Sequence, residues 1–264
     1  MVGMKFSKTS LLRSAILVGL IAVGLNPKAQ STAYFGLDLG PKVDYYSQAA
    51  VGGSPSYQPN LRIHNDVAGV FGLVFGLKLD SNVWLETGLY KSNFRANFDI
   101  IGANGARYFD NTPVNTFTSF VIPINYRRIY EVKKHMFPVP IYLTYGTGLT
   151  FLGKQKLGLT EAYRSIAEPV NPADVSEGYV EYSIFKNEIR GKMMMLNLNA
   201  GVQYRVNSNL MVNILATYRY GISGANNMLI THKFADFEPI TNKISTKGNE
   251  LQLTFGFRYF LIES

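Results

Sequence analysis

The sequence contains no cysteine. That absence excludes a disulfide framework, a cysteine metal site and membrane attachment through a lipidated N-terminal cysteine. Charge is scarce too: charged residues make up 17% of the 264, against a usual quarter, and there are only three histidines and one tryptophan. No Gly-rich phosphate loop, paired-histidine metal motif or nucleophile elbow occurs. The sequence therefore points to no cofactor, no metal and no enzymatic chemistry. Long hydrophobic runs are missing except for one, SAILVGLIAVGL at 14–25.

That run has Lys5, Lys8 and Arg13 in or just before it. A basic stretch followed by an apolar run of this length reads as a secretory signal over 1–29, with cleavage near Ala29-Gln30. The run is short for a transmembrane helix; an uncleaved N-terminal anchor is the alternative. Removing Lys5, Lys8, Arg13 and Lys28 lowers the net charge from +8 to +4. A charge so small and dispersed does not suit nucleic acid.

What the sequence does have is aromatics, 17 Tyr and 17 Phe, and two-residue alternation. Residues 250–260, ELQLTFGFRYF, place Leu251, Leu253, Phe255, Phe257 and Tyr259 on one face and Glu250, Gln252, Thr254, Gly256 and Arg258 on the other. Seven more segments repeat this pattern: 33–43, 67–79, 82–94, 119–130, 140–153, 195–206 and 209–221. The connections alternate strictly. Stretches 45–66, 99–115, 154–188 and 222–248 are long and polar, whereas Asp80-Ser81, 131–138 and Asn207-Ser208 are short turns.

Long connections at one end and short turns at the other are the habit of an outer-membrane barrel. The expected fold is all-β: an eight-stranded antiparallel up-and-down transmembrane β-barrel over 33–261. A soluble two-sheet sandwich or lipocalin-like barrel is the alternative. It would need polar outward faces, whereas here the polar rows hold Asp38, Lys78, Glu86, Arg127, Arg205, Arg219 and Arg258 while the other rows are nearly free of charge. A secreted chain with an apolar face on every strand and no helix to cover it needs lipid or a partner. Only helices and closed barrels pair every backbone group within a bilayer. The apolar rows are thus expected to face lipid in the outer membrane, with the charged rows inside.

Eight strands leave an interior that side chains can fill. Strand direction places Lys78, Glu86, Arg127, Arg205 and Arg258 near the short-turn mouth, with Asp38 a little higher. The expectation is an ion network of Asp38, Lys78, Glu86, Arg127, Arg205 and Arg258 that closes the lumen, since a buried unpaired charge is costly. Two acids against four bases would leave excess positive charge, and a narrow anion-selective pore is the alternative reading. The glycines at 72, 76, 88, 146, 148 and 256 are expected to face inward.

Segments 94–100 and 178–192 keep β-like composition past the apolar band, so they are expected to form a rim of sheet. Loop 154–188 is acidic, with Glu161, Glu168, Asp174, Glu177, Glu181 and Glu188 outnumbering Lys154, Lys156, Arg164 and Lys186. A projecting sheet edge can recruit an envelope protein by strand addition. Of the histidines, His135 falls in a short turn, and His64 and His232 fall in long connections. His64 with Asp66 is a conceivable acid–base pair, although a loop histidine beside an aspartate is usually only solvated.

The chain resembles the small outer-membrane β-barrels of Bacteroidota, the PorT-like group, over about 33–261. The resemblance is carried by IPINY at 122–126, YGTGL at 145–149 and the closing strand. In that strand Thr254, Gly256, Tyr259 and Leu261 are similar to the signal read by the barrel-assembly machinery. Typical signals finish on an aromatic residue, whereas this chain continues Ile262-Glu263-Ser264. Some members of the group serve type IX protein secretion and gliding motility. The resemblance implies an outer-membrane binding or scaffolding protein with lipid, the assembly machinery and envelope proteins as partners.

Overall fold

The computed structural model describes residues 32–51, 60–101, 107–108, 114–132, 140–152, 160–167, 180–186, 193–223, 226–234 and 239–261. The expected signal over 1–29 lies outside them. The described chain is entirely strand and connection. In order the strands are β1 (Ala33–Asp44), β2 (Ser47–Val51), β3 (Asn60–Asn65), β4 (Val67–Asp80), β5 (Val83–Ile101), β6 (Arg107–Tyr108), β7 (Val114–Glu131) and β8 (Ile141–Leu152). There follow β9 (Thr160–Ala167), β10 (Val180–Lys186), β11 (Met193–Arg205), β12 (Leu210–Ser223), β13 (Asn226–Phe234), β14 (Ile240–Thr246) and β15 (Glu250–Phe260).

Eight of these close into a ring in the order β1-β4-β5-β7-β8-β11-β12-β15, every pair antiparallel. Closure comes from the first strand meeting the last, Tyr34 opposite Phe260 through Asp44 opposite Glu250. A closed ring leaves no unpaired edge in its wall. The fold is the eight-stranded barrel that alternation and connection lengths indicate.

Local chemistry fixes the short turns. Ser81 N–H donates to Asp80 Oδ1 at 2.7 Å, and Asn209 N–H donates to Asn207 Oδ1 at 2.9 Å. Both are side-chain-to-backbone turns of the kind Asp and Asn favour.

At the opposite end the long connections are less irregular than their composition suggests. Strands β2, β14, β13, β10 and β9 form a second, five-stranded sheet, and β3 and β6 pair with the upper part of β5. The rim expected from 94–100 and 178–192 is thus larger, because β2, β9, β13 and β14 join it. Polar residues alternate with Ile230, Ile240 and Ile244, which are buried. In this rim Glu161 and Arg164 fall on β9, and Glu181 and Lys186 on β10. The other charges of the acidic loop, Lys154, Lys156, Glu168, Asp174, Glu177 and Glu188, lie outside the described residues.

The barrel wall is inverted relative to a soluble domain. Phe35, Leu39, Phe71, Leu198, Tyr220 and Phe255 are exposed, while Asp38, Glu86, Arg127, Arg219 and Arg258 are buried to within 2%. One parity rule explains both rows, since neighbouring residues of a strand point to opposite faces.

Candidate functional site: the closed lumen

The inward row of each strand builds the site. Near the short-turn end Arg258 on β15 grips Asp38 on β1 through both terminal nitrogens, Nη1 to Oδ1 at 2.6 Å and Nη2 to Oδ2 at 2.9 Å. Its Nη2 also stands 3.4 Å from Glu86 Oε2 on β5. Arg127 on β7 also faces Glu86: its Nη1 donates to Oε2 at 3.0 Å, and its Nη2 stands at an ion-pair distance of 2.8 Å from Oε1. Paired two-point contacts of this type fix geometry as well as charge.

Two tyrosines finish the cluster. Tyr34 donates to Glu86 Oε2 at 2.6 Å, and Tyr90 donates to Asp38 Oδ2 at 2.6 Å. The Arg258 guanidinium carbon stands 5.7 Å from the Tyr34 ring centroid, a cation–π distance. These phenols belong to the inward row but carry no formal charge, which is why a search for ion partners passes over them. Their signal is a tyrosine in phase with a carboxylate and opposite a glycine: Tyr34 faces Gly76, and Tyr90 faces Gly72.

A second cluster lies toward the long-connection end. Lys42 Nζ contacts Asp44 Oδ1 at 2.6 Å and Glu250 Oε2 at 3.0 Å, and Glu250 also pairs with Arg219. Arg219 lies 5.8 Å over the Tyr90 ring. Tyr90 thereby joins the clusters, its hydroxyl on Asp38 and its face on Arg219. The register makes this second group: Glu250 is directly opposite both Asp44 and Arg219.

Between and beside the clusters the lumen is filled. Asn197 donates to Asn125 at 2.9 Å and accepts from Thr150 at 2.8 Å. Val70, Val74, Val121, Leu152, Met193 and Met195 are buried in one apolar cluster with Tyr34, Trp84 and Tyr90.

The expected six-residue network is corrected at two positions. Asp38, Glu86, Arg127 and Arg258 come together; Lys78 and Arg205 do not join them. Arg205 donates to the Asn207 and Ser208 carbonyls of the adjoining turn, at 3.2 and 2.9 Å. Lys78 lines a cavity of about 230 Å³ at the short-turn mouth, together with Arg205, Glu131, Tyr142, Trp84 and Phe260. Trp84 packs tilted against Tyr34 at 5.1 Å and Phe260 packs edge-on against it at 5.6 Å between centroids, so the Tyr34 ring that holds Glu86 lies against two residues lining the mouth. Each buried cluster then holds two acids and two bases, so the excess positive charge expected in the lumen is not there among the described residues. Replacing Lys78 by Gln should accordingly change unfolding stability by no more than about 0.5 kcal/mol, measured by urea titration in lipid vesicles. A penalty of several kcal/mol would place Lys78 back in the network.

The histidines do not build a catalytic site with Asp66. His64 Nε2 meets Asp99 Oδ2 at 2.7 Å across β3 and β5, while Asp66 accepts from the Val67 N–H. The conceivable His64–Asp66 pair is therefore not formed. His232 is buried on β13, and His135 lies outside the described residues. In the closing strand Thr254 and Gly256 point inward and Tyr259 and Leu261 outward.

No protein-family model and no curated protein matches the chain. Among solved structures it is similar to the outer membrane protein OprG of Pseudomonas aeruginosa, at 13% identity over 90% of this chain and 100% of that one, TM-score 0.44. It is also similar to the outer membrane protein AlkL in lipid bilayers, at 13% identity over 100% and 98%, TM-score 0.42. Neisserial surface protein A aligns at 11% identity over 88% and 99%, TM-score 0.40. Likeness at this level assigns neither family nor activity.

Proposed function

We propose that the protein is a non-enzymatic β-barrel of the bacterial outer membrane that acts by binding or scaffolding. The observation that carries this reading is the inverted wall: a continuous exposed apolar belt around a ring whose interior is polar and ion-paired. In water such a belt would drive association, whereas in a bilayer it is solvated by acyl chains. The habit of such barrels puts the short turns in the periplasm and the long connections outside. The five-stranded rim then becomes the exterior binding surface, with β2 and β9 as its edges.

Two neutral ion clusters and a buried apolar cluster on the inward rows weigh against a passive pore. Insertion would depend on the barrel-assembly machinery, with Thr254, Gly256, Tyr259 and Leu261 as its recognition residues. A role as an accessory of type IX protein secretion rests on the sequence resemblance alone.

The deciding measurement is native mass after gentle extraction and chemical cross-linking from the source membrane. Co-migration with larger envelope proteins is the expected result, and their identity tests the secretion role. Migration only as a lone chain near 29.5 kDa would overturn the scaffold reading.

A further inference from the structure

Among the described residues of the apolar belt two cations face outward. Arg128 on β7 shares its row with Tyr126 and Tyr130, and Lys91 on β5 shares its row with Leu85, Thr87 and Leu89. Arg128 stands opposite Val83, so Lys91 lies eight residues further along β5 toward the rim. At ~3.3 Å per residue and a tilt of ~40° that is roughly 20 Å of height, close to the thickness of the apolar band of an outer-membrane barrel. The uncharged outward row between them would cross the acyl chains, and each cation would sit at a headgroup level.

The surroundings of Arg128 are specific. Tyr126 and Tyr130 flank it on its own strand, and Tyr145 on β8 is directly opposite. Arg128 Nη1 donates to the Tyr130 hydroxyl at 3.5 Å, and the Tyr145 hydroxyl donates to the same oxygen at 3.4 Å. The Tyr130 and Tyr145 rings stack at 5.7 Å and 12°. Among the described residues no carboxylate pairs with this guanidinium. Because the Tyr130 oxygen accepts twice, its own hydrogen is left to donate elsewhere. The patch therefore presents a charged fork and a phenol donor toward the lipid side, with no carboxylate among the described residues to pair with them.

A cation on a lipid-facing wall is costly at mid-bilayer and tolerated where it meets the interface. Arginine matches tetrahedral phosphate oxygens through several parallel donors. Tyrosine rings suit the same depth, apolar body toward the chains and hydroxyl toward the headgroups. We propose that Arg128, Tyr126, Tyr130 and Tyr145 form a binding site for the phosphate of a phospholipid headgroup in the leaflet on the short-turn side. This rests on the membrane-spanning reading above.

The test uses the full chain, in detergent micelles titrated with dioleoylphosphatidylglycerol and monitored by native mass spectrometry. Wild-type protein should retain one tightly held lipid. Arg128→Leu, a residue suited to an outward position, should lower the lipid-bound fraction about tenfold, the effect of losing one charge-assisted contact. Lys91→Leu should leave that lipid in place. Equal lipid retention by Arg128→Leu overturns the site. Displacement of the lipid by an equal concentration of inorganic phosphate overturns the headgroup assignment in favour of a free-anion site. Insertion of both proteins into phosphatidylcholine vesicles is scored separately by resistance to alkaline extraction. If wild type fails to insert, the membrane reading falls. If both insert and Arg128→Leu keeps its lipid, only the headgroup site falls.

Discussion

Replacing Glu86 by Gln is expected to cost about 3–5 kcal/mol of stability, the usual penalty for removing one partner of a buried ion pair. Glu86 is the acid on which Arg127, Arg258 and Tyr34 converge. Glutamine keeps the shape but not the charge. The lower cluster then holds Asp38 against two guanidinium groups, both buried and one without a counter-ion. Urea unfolding in vesicles measures the loss. A planar-bilayer recording measures its second consequence: wild-type protein should show no stable open level, whereas the variant should show openings that favour anions. Adding Arg127→Met to Glu86→Gln restores neutrality and should recover most of the stability, because two well-packed neutral residues can replace an ion pair at little penalty. Unchanged stability and an unchanged closed trace for Glu86→Gln would sink the ion-plug account.

Much of this was legible in the sequence, and the illegible part has a physical pattern. Alternation is a local property, so the eight wall strands and the inward position of Asp38, Glu86, Arg127 and Arg258 could be read along the chain. Pairing is a property of register, which the chain does not display. Arg258 meets Asp38 only because β15 closes on β1 with Gly256 opposite Asp38 and Arg258 opposite Gly36. Asp44, Arg219 and Glu250 lie far apart in sequence, and nothing but register joins them. Lys78 has the inward parity of a lumen residue, yet it sits at the β4–β5 register shift between Lys78 and Asp80, at the short-turn mouth, where irregularities re-aim side chains. The rim strands were hidden for another reason. Stretches such as 226–234 and 240–246 are rich in Asn, Thr and Lys, so their composition reads as loop while their pairing makes them sheet.

Gly76→Ala is the second large effect, expected at about 1–3 kcal/mol from overpacking alone. A Cβ on Gly76 would lie 2.1 Å from Tyr34 Cζ and 2.5 Å from its hydroxyl oxygen. The ring has little room to yield, with Trp84 at 5.1 Å, Phe260 at 5.6 Å and the Arg258 guanidinium at 5.7 Å. The methyl group must displace the phenol, and Glu86 then loses its Tyr34 hydrogen bond as well. Gly69→Ala, on the same strand, is the control, because a Cβ there meets nothing within 4 Å; it should stay within about 0.5 kcal/mol of wild type. In a Tyr34→Leu background the Gly76→Ala penalty should shrink, since both changes act on one contact and contacting pairs are not additive. Equal penalties at Gly69 and Gly76 would mean that backbone flexibility, and not the space beneath a tyrosine, is what glycine provides on β4. A penalty confined to Gly76 and relieved by Tyr34→Leu ties the glycine to the carboxylate that the tyrosine holds. The small residue in the wall and the ion pair in the lumen would then be one device for closing the barrel.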